Sequence, residues 1–366
     1  MKIECDKNTL DKAVQKVSRL AGKHLTLPVL SCVFLEALED GRLILKSTNL
    51  DLGIELEIKA KVYSPGSLTV PANIFYGVIS SLKDDDLKLE KIENNLKIET
   101  KNNSSTIKCM PSEDFPSIPK LDKINQVRIS YQDLMLGFKS VWYSASNSSI
   151  KPELGSVYIY KGDNGLVFVS TDSFRLAEKT INTKISDDFP SILIPYKNVV
   201  EIIKVFEDSN DDLEMIFEKN QLALIRKNTY LVSRLIDGNF PDYKQIIPKS
   251  HISTATILKN DLINSIKTSN IFSDNLNQTK LKIDTKQKVL NIESKNNEVG
   301  EYNESIKASV TGEDIELNFN NRYIVECMQS IPSESITLSF AGVGKPLMIT
   351  GSSDKSFVYI VMPMNR

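Results

Sequence analysis

The architecture of this chain is decided by the stretch Ser170-Thr171-Asp172-Ser173-Phe174-Arg175-Leu176-Ala177-Glu178. An apolar run at 166–169 leads into it and predicts a strand, and the polar residues that follow predict a turn. After the turn, an aromatic, a cationic and an aliphatic side chain are adjacent. The stretch by itself is typical of an ordinary strand-turn-strand. Its wider importance comes from the rest of the chain, where it recurs.

The chain repeats itself with a period near one third of its 366 residues. The landmarks are Ser-Thr-Asn at 47–49 with Ser-Thr-Asp at 170–172 and, weakly, Ser-Lys-Asn at 294–296; Val-Pro at 70–71 with Ile-Pro at 194–195 and Phe-Asn at 319–320; and Asp-Phe-Pro at 114–116 with Asn-Phe-Pro at 239–241. They keep one order and nearly one offset, with the first pair 123 residues apart. Together with proline-rich linkers near 115–119 and 241–248, they predict three similar domains at 1–120, 121–248 and 249–366.

Each repeat predicts a helix, several strands, a second helix after the Val-Pro or Ile-Pro step, and further strands. The alternation of apolar and polar residues at 54–58 and 87–90 is typical of half-buried strands. Two helices among runs of strands indicate the α+β class, with helices on one face of antiparallel sheets.

The composition, with 41% hydrophobic and 25% charged residues, is that of a globular protein. No apolar run reaches the roughly 18 residues of a transmembrane helix, and the first residues lack a signal-peptide pattern. The four cysteines are scattered without a C-x-x-C pair, which favours buried thiols in a reducing cytosol over disulfides or a zinc site. We therefore expect a cytoplasmic protein with no cofactor, metal site or membrane partner. With a net charge of −2, any basic surface must be local.

The first helix carries a basic face. We expect it at Thr9–Ala21 with Asn8 as N-cap and a buried stripe opposite the cations. The basic residues on this face are Lys12, Lys16, Arg19 and Lys23. A solvated face usually mixes charge signs, so this stripe favours a polyanion. Sparser cations follow on helices of the other repeats, at Lys197, Lys204, Lys267 and Arg322. Such charges contact phosphates without reading sequence, and no base-reading motif is present.

Nothing in the sequence argues for catalysis. Its two histidines, His24 and His251, lie in predicted loops, and the motifs of phosphate loops, dinucleotide folds and serine hydrolases are missing. Acidic clusters at 84–86, 187–188 and 211–212 are explained by solvated turns. A metal-dependent enzyme acting on nucleotides or DNA ends, with these clusters as ligands, is kept as an alternative.

Four segments resemble the bacterial DNA polymerase III beta subunit family, the sliding clamps, in order and over essentially the whole chain. Leu-Thr-Leu-Pro-Val-Leu at 25–30 is similar to the family's T-L-P-I-L, and the segment 171–177 to T-D-G-H-R-L-A. The segment 237–243 is similar to E-G-x-F-P-D-Y, and the end at 361–366 to M-P-M-R.

The resemblance implies three domains, each with two helices and two sheets, in a head-to-tail homodimer that closes a ring around double-stranded DNA. The helices would line the hole, where the basic stripe would attract duplex DNA without sequence specificity. Such a ring is a non-catalytic processivity factor that tethers the replicative DNA polymerase. Further partners implied are the clamp loader, other polymerases and repair proteins that carry a short clamp-binding motif with aliphatic and aromatic anchors.

The resemblance also implies functional positions. A partner-peptide groove would comprise Leu154, Thr171, Ser173, Phe174, Arg175, Leu176, Pro241, Ile246, Tyr323, Met362, Pro363 and Met364. The DNA-facing set would be Lys12, Lys16, Arg19, Lys23, His24, Lys197, Lys204 and Lys267. The dimer interface would involve Ile107, Ile271, Phe272, Glu298 and Glu301, with the glutamates facing lysines such as Lys97, Lys101 or Lys108 of the partner chain.

The chain departs from the family pattern within the groove. Ser173-Phe174 stands where the family has Gly-His, and the tail ends in Asn365-Arg366. These departures suggest a narrower alternative, a clamp paralogue with altered partner or inhibitor binding.

Overall fold

The computed structural model describes residues 1–22, 27–148, 150–207 and 211–364. Its strands pair antiparallel throughout four sheets, which confirms the α+β class. The helices in these ranges are α1 (Lys7–Ser18), α2 (Ala72–Ser81), α3 (Tyr131–Val141), α4 (Tyr196–Val205), α5 (Lys259–Ile271) and α6 (Asn321–Cys327). Among the described helices, none combines the length and the apolarity that crossing a bilayer requires.

The described residues form 26 strands. The first thirteen are β1 (Lys2–Asp6), β2 (Cys32–Ala37), β3 (Arg42–Thr48), β4 (Leu52–Lys59), β5 (Lys61–Ser64), β6 (Gly66–Pro71), β7 (Asp86–Ile92), β8 (Asn95–Glu99), β9 (Ser104–Lys108), β10 (Gln126–Ile129), β11 (Ser156–Gly162), β12 (Gly165–Thr171) and β13 (Arg175–Ile181). The others are β14 (Ile192–Pro195), β15 (Leu213–Glu218), β16 (Gln221–Arg226), β17 (Thr229–Arg234), β18 (Ser253–Leu258), β19 (Gln278–Asp284), β20 (Val289–Asn296), β21 (Gly300–Lys307), β22 (Ser309–Gly312), β23 (Ile315–Asn320), β24 (Ser335–Phe340), β25 (Leu347–Gly351) and β26 (Phe357–Val361).

The chain divides into two compact units. The first unit comprises Met1–Gln132 and Lys197–Leu235, and its sheets have the orders β5-β1-β7-β8-β9 and β10-β15-β16-β17-β4-β3-β2-β6. The second comprises Asp133–Tyr196 and Ile236–Arg366, with the orders β14-β11-β12-β13-β26-β25-β24-β18-β22 and β21-β20-β19-β23.

Each large sheet joins strands from two of the predicted domains. In the first unit β4 pairs with β17, and in the second β13 pairs with β26. Each pairing covers two strand edges that would otherwise present unpaired backbone groups. The middle third of the chain is therefore shared between the units, and the domain boundaries 1–120, 121–248 and 249–366 stay a prediction.

The first helix begins and ends earlier than predicted. It runs over Lys7–Ser18, and its N-cap is Asp6, not Asn8. The Asp6 carboxylate accepts hydrogen bonds from the Thr9 amide at 2.7 Å and the Thr9 hydroxyl at 2.6 Å, which satisfies an otherwise unpaired amide of the first turn. The predicted buried stripe is confirmed at Leu10, Ala13, Val14 and Val17.

The predicted position of the second helices is also confirmed. They begin directly after the landmark steps, at Ala72, Tyr196 and Asn321. The proline that precedes the first two has a fixed φ and lacks an amide hydrogen, both of which suit a helix start.

A buried ion pair ties β13 to the connection between β25 and β26. Lys179 is only 5% exposed, and its ammonium lies 3.1 Å from Asp354 Oδ2 and 2.6 Å from Ser356 Oγ. Burial raises the pKa of the Asp354 carboxyl, but hydrogen bonds from Ser356 and the charge of Lys179 outweigh it, so that pKa is lowered. The carboxyl is therefore charged at neutral pH and stabilises the buried ammonium.

Substituting Lys179→Ala should lower the free energy of unfolding of the second unit by about 2 to 3 kcal/mol, because the half-buried Asp354 carboxylate loses its counter-charge. Chemical denaturation at pH 7 measures this loss. The exposed pair of Lys123 with Glu214 provides the control, and Lys123→Ala should cost under about 1 kcal/mol.

The same pair predicts a pH dependence. A depressed carboxyl pKa adds stability above the unfolded value of roughly 4, and this stability is lost as pH falls through the folded value. The difference between the wild type and Lys179→Ala should therefore shrink in acid, and a constant difference down to pH 3 would contradict the ion-pair account.

Candidate partner-binding groove

The turn between β12 and β13 is built by two side chains. The Thr171 hydroxyl accepts a hydrogen bond from the Ser173 amide at 3.1 Å and donates one to the Arg175 carbonyl at 2.7 Å. Asp172 Oδ1 accepts from the amides of Phe174 and Arg175, both at 2.9 Å. Short side chains that bond backbone groups two or three residues on are what fixes a tight turn.

The first repeat contains the same turn between β3 and β4. Thr48 bonds the Leu50 amide and the Leu52 carbonyl, both at 3.0 Å. Asn49 Oδ1 accepts from the amides of Asp51 and Leu52 at 3.0 and 2.8 Å. The third residue of each turn is left-handed, with φ of 74° at Leu50 and 76° at Ser173. The recurrence of 47–49 at 170–172 is thus a recurrence of geometry, bond for bond.

What differs between the two turns is the side chains that they present. Phe174 is 63% exposed, and its counterpart is Asp51. The carbonyl of Phe174 accepts from the Met362 amide at 2.8 Å, and that of Asp51 accepts from the Arg234 amide at 2.8 Å. Asp51 and Arg234 form an exposed ion pair at 3.7 Å, whereas Phe174 and Met362 are both apolar. The turn itself therefore does not require an aromatic residue at 174.

Arg175 is the most highly coordinated side chain of the turn. Its guanidinium donates to Asp172 Oδ2 at 3.0 Å, to the Tyr143 carbonyl at 2.6 Å and to the Glu326 carboxylate, and it lies 4.3 Å from the centre of the Tyr323 ring. Burial lowers the pKa of Arg175, but Tyr359 and the carboxylates of Glu326 and Asp172 raise it above its ordinary value.

These bonds use most of the donors of a guanidinium whose side chain is only 10% exposed. The main role of Arg175 is therefore structural, because it holds Tyr323 and α6 against the turn.

The chain's end lies beside the turn as a continuation of β26. In the ladder, Arg175 pairs with Val361 and Leu176 with Ile360. Past the strand, the Met364 amide donates to the Asn318 carbonyl at 2.8 Å. Met362, Pro363 and Met364 are half-exposed, so this stretch offers flexible apolar side chains next to Phe174.

On the other side of β13, Leu176 is 3% exposed and belongs to a cluster with Val169, Tyr243 and Ile360. Tyr243 opens a single 3₁₀ turn, Tyr243–Ile246, whose last residue is 48% exposed. Pro241 lies just before this turn and is exposed as well.

The structure thus brings most of the predicted groove residues into one contact network within the second unit. Phe174, Ser173, Pro241 and Ile246 are exposed, while Leu154, Thr171 and Leu176 are buried and can contribute little surface. Sequence reasoning missed Asp172, Glu326 and Tyr243 as groove-building residues. Glu326 could have been identified from its spacing, because it lies three residues after Tyr323 on α6 and therefore on the same face of the helix.

The predicted DNA-facing residues are distributed over three helices. Lys12 on α1, Arg19 at its C-cap, Lys197 on α4 and Lys267 on α5 are exposed, and Lys16 is half-buried. The charge of Lys204 is partly offset by Glu201, whose carboxylate lies 2.8 Å from its ammonium. Lys23 and His24 lie outside the described residues.

The predicted interface residues lie on or near two sheet edges. Strand β9 is an edge of the first unit's five-stranded sheet, and β21 is an edge of the second unit's four-stranded sheet. Ile271 is 65% exposed and Glu298 and Glu301 are exposed, while Phe272 stacks on Tyr302 with ring centres 6.0 Å apart. Ile107 is a departure from the prediction, because its side chain is 4% exposed and points into the interior.

One aspartate in each of the acidic clusters 187–188 and 211–212 forms ion pairs with basic side chains. Asp211 pairs with Arg226 at 2.9 Å and with Lys227 at 2.5 Å, and Asp187 pairs with Lys161. Among the residues that the structure describes, no three metal-binding side chains converge.

Comparison with protein families and known proteins gives one consistent result. Models of the DNA polymerase III beta subunit match the chain three times, the N-terminal domain at 1–119, the central domain at 129–242 and the C-terminal domain at 244–365.

Among curated proteins, the beta sliding clamp of Streptococcus pneumoniae is 29% identical over 371 residues, which cover 98% of each chain. That of Staphylococcus epidermidis is 24% identical over 98% of this chain and 96% of its own.

Solved structures agree with these relatives in fold. The DNA polymerase III beta chain of Streptococcus pneumoniae superimposes with a TM-score of 0.94 at 26% identity, over 100% of both chains. The DNA polymerase sliding clamp of Bacillus subtilis has a TM-score of 0.93 at 23% identity, over 100% of this chain and 99% of its own.

Replacing Ser173 by glycine should stabilise the protein by up to about 1 kcal/mol, because a left-handed φ strains every residue with a Cβ. Leu50→Gly should relieve the same strain in the first repeat, but the loss of the apolar contacts of leucine should offset part of the gain in stability. Thermal denaturation measures both. Ser309→Gly in β22 is the control, and it should cost about 0.5 to 1 kcal/mol because that residue is extended. A loss of stability for Ser173→Gly equal to the control would contradict the strain.

Proposed function

This chain belongs to the DNA polymerase III beta subunit family, the beta sliding clamps, and from that membership we propose that it is a DNA polymerase processivity factor. It works as a non-catalytic ring that encircles duplex DNA and tethers the replicative polymerase. The observation that carries the tethering role is the exposed Phe174, fixed by backbone bonds beside the methionines of the chain's end. As a replication factor it works in the cytoplasm.

The ring is a homodimer in this proposal. The exposed edges of β9 and β21 support it, since an unpaired edge is a template for a strand of another chain. Opposite charges also favour contact between these two edges, because Glu298 and Glu301 lie at the edge of the second unit and Lys108 lies on β9. A contact between two different surfaces closes into a ring when the rotation between the chains permits it.

The DNA contact is electrostatic and independent of sequence. Lys12 on α1, Arg19 at its C-cap and Lys197 on α4 supply exposed cations for phosphates, while the chain as a whole carries a net charge of −2. A ring held on DNA by its topology needs only weak attraction, and tight base contacts would stop it from sliding.

The partners are proteins with a short motif that carries aliphatic and aromatic anchors, in the replicative polymerase, the clamp loader, other polymerases and repair proteins. Such a peptide would use the apolar surface of Phe174, Met362, Met364 and Ile246, since a few well-packed side chains supply most of the energy of such contacts. The aromatic Phe174 favours, as a second candidate, a clamp paralogue with its own choice of partner or inhibitor.

Substituting Phe174→Asp gives this turn the residue that the equivalent turn carries at Asp51, so the fold should tolerate it. We expect a 10- to 30-fold weaker affinity for a peptide with a leucine and a phenylalanine anchor, in line with about 1.5 to 2 kcal/mol for a hot-spot residue. Polymerase stimulation on primed circular DNA should fall with it, and deletion of residues 362–366 should abolish it.

The control is Ile124→Asp, which places the same charge on an 83% exposed residue of the first unit and should leave stimulation unchanged. All variants should keep a solution mass of about twice 41.1 kDa. Full stimulation by the Phe174→Asp variant would show that the groove assignment is wrong.

A further inference from the structure

The segment 237–251, between the central and C-terminal thirds, is held by side chains. The Ile236 amide bonds the Leu193 carbonyl at 2.9 Å, and the Ile252 amide bonds the Phe340 carbonyl at 2.9 Å. Between these two bonds, the described main chain makes no hydrogen bond to a strand. Yet this segment carries Pro241 and Ile246, two exposed members of the groove. Their position depends on what anchors the segment to the sheet.

Tyr243 is the deepest anchor of this segment. Its side chain is 4% exposed and packs in the cluster of Leu176, Val169 and Ile360. Its hydroxyl donates to the Glu178 carboxylate on β13 and lies 2.8 Å from the Tyr160 hydroxyl on β11. Because the single Tyr243 proton goes to the carboxylate, the Tyr160 hydroxyl is the donor in the second bond.

Aromatic stacking extends the anchor along the segment. Tyr158 stacks on Tyr160 at 5.0 Å and on Phe240 at 4.9 Å, and Phe240 meets the Tyr243 ring edge-on at 6.1 Å. Lys244 lies 5.5 Å above the Tyr160 ring. Burial of Tyr243 and its bond to Glu178 raise the pKa of its hydroxyl, which therefore remains a donor at neutral pH.

We propose that Tyr243 is a positioning residue of the partner groove: through the chain Tyr160–Tyr243–Glu178 it fixes the 3₁₀ turn and so fixes Pro241 and Ile246 relative to β13. The inference rests on the proposed peptide-binding function and adds to it the residue that preorganises one wall. A wall held in its bound position binds a peptide without the entropy cost of ordering it.

The test measures binding of a fluorescein-labelled peptide with a leucine and a phenylalanine anchor to the full-length protein and its variants. Tyr243→Phe keeps the ring and removes the hydroxyl, and we expect about 5- to 10-fold weaker binding, which is within the usual net effect of losing one hydrogen bond. Hydrogen exchange of the free protein should speed up across 237–251 in this variant, at an unchanged exchange rate in the first unit.

Three further variants separate positioning from general stability. Glu178→Ala removes the acceptor and should weaken binding as much as Tyr243→Phe, and the double variant should bind no worse than either. Glu178→Gln retains an acceptor oxygen and should restore nearly full affinity. Tyr63→Phe is the matched control, since Tyr63 makes the same type of bond to Glu4, at 2.6 Å, in the first unit.

Wild-type affinity in Tyr243→Phe, or a loss that Glu178→Gln does not rescue, would overturn the positioning role while leaving the groove itself intact. If the wild-type protein does not bind the peptide, the proposed function fails and the positioning role fails with it. If hydrogen exchange in Tyr243→Phe speeds up throughout the second unit and not only across 237–251, the loss of binding reflects general destabilisation and the inference is wrong.

Discussion

The pairing of β13 with β26 is the constraint on which the proposed partner-binding surface depends. It sets Arg175 against Val361, and the next bond along, from the Met362 amide to the Phe174 carbonyl, fixes the chain's end beside the exposed aromatic ring. These residues are far apart in sequence, so the backbone ladder alone makes them neighbours. Two further contacts hold the neighbouring residues against this pair of strands. Arg175 fixes Tyr323 on one side, and Tyr243 fixes the 3₁₀ turn on the other.

The first unit contains the same framework without the groove. The turn at 48–52 repeats the four side-chain-to-backbone bonds of the turn at 171–175, and the Arg234 amide bonds the Asp51 carbonyl as the Met362 amide bonds the Phe174 carbonyl. In the first unit, Asp51 and Arg234 form an ion pair at the surface of the turn. Leu52, which is 1% exposed, occupies the position that Arg175 has in the second unit. The two copies of this turn thus differ by a few surface side chains, and these differences restrict the proposed binding site to one of them.

Much of this fold could be predicted from the sequence, because local sequence patterns determine where its helices begin and which of their faces are buried. The Val-Pro and Ile-Pro steps predicted where α2 and α4 begin, and the apolar spacing predicted the buried stripe of α1. The sequence predicts the start of α1 two residues late because Asp6 and Asn8 are both good caps, and only the bond to Thr9 decides between them. The contact of Arg175 with Glu326, the anchor of Tyr243 on Glu178 and the burial of Ile107 depend on long-range packing, which no local pattern records. The residues of the proposed groove could therefore be named in advance, but not the contacts that hold them in place.

Retention on DNA tests the account's central claim most directly, because only a closed ring depends on the topology of its substrate. The protein is loaded by its clamp loader onto a nicked circular duplex, and the bound fraction is followed by gel filtration before and after a single cut linearises the circle. The account predicts stable retention on the circle, with loss from the linear form as the ring slides off its ends. Equal retention on both forms would contradict it, since that is the behaviour of a protein held by contacts instead of by encirclement.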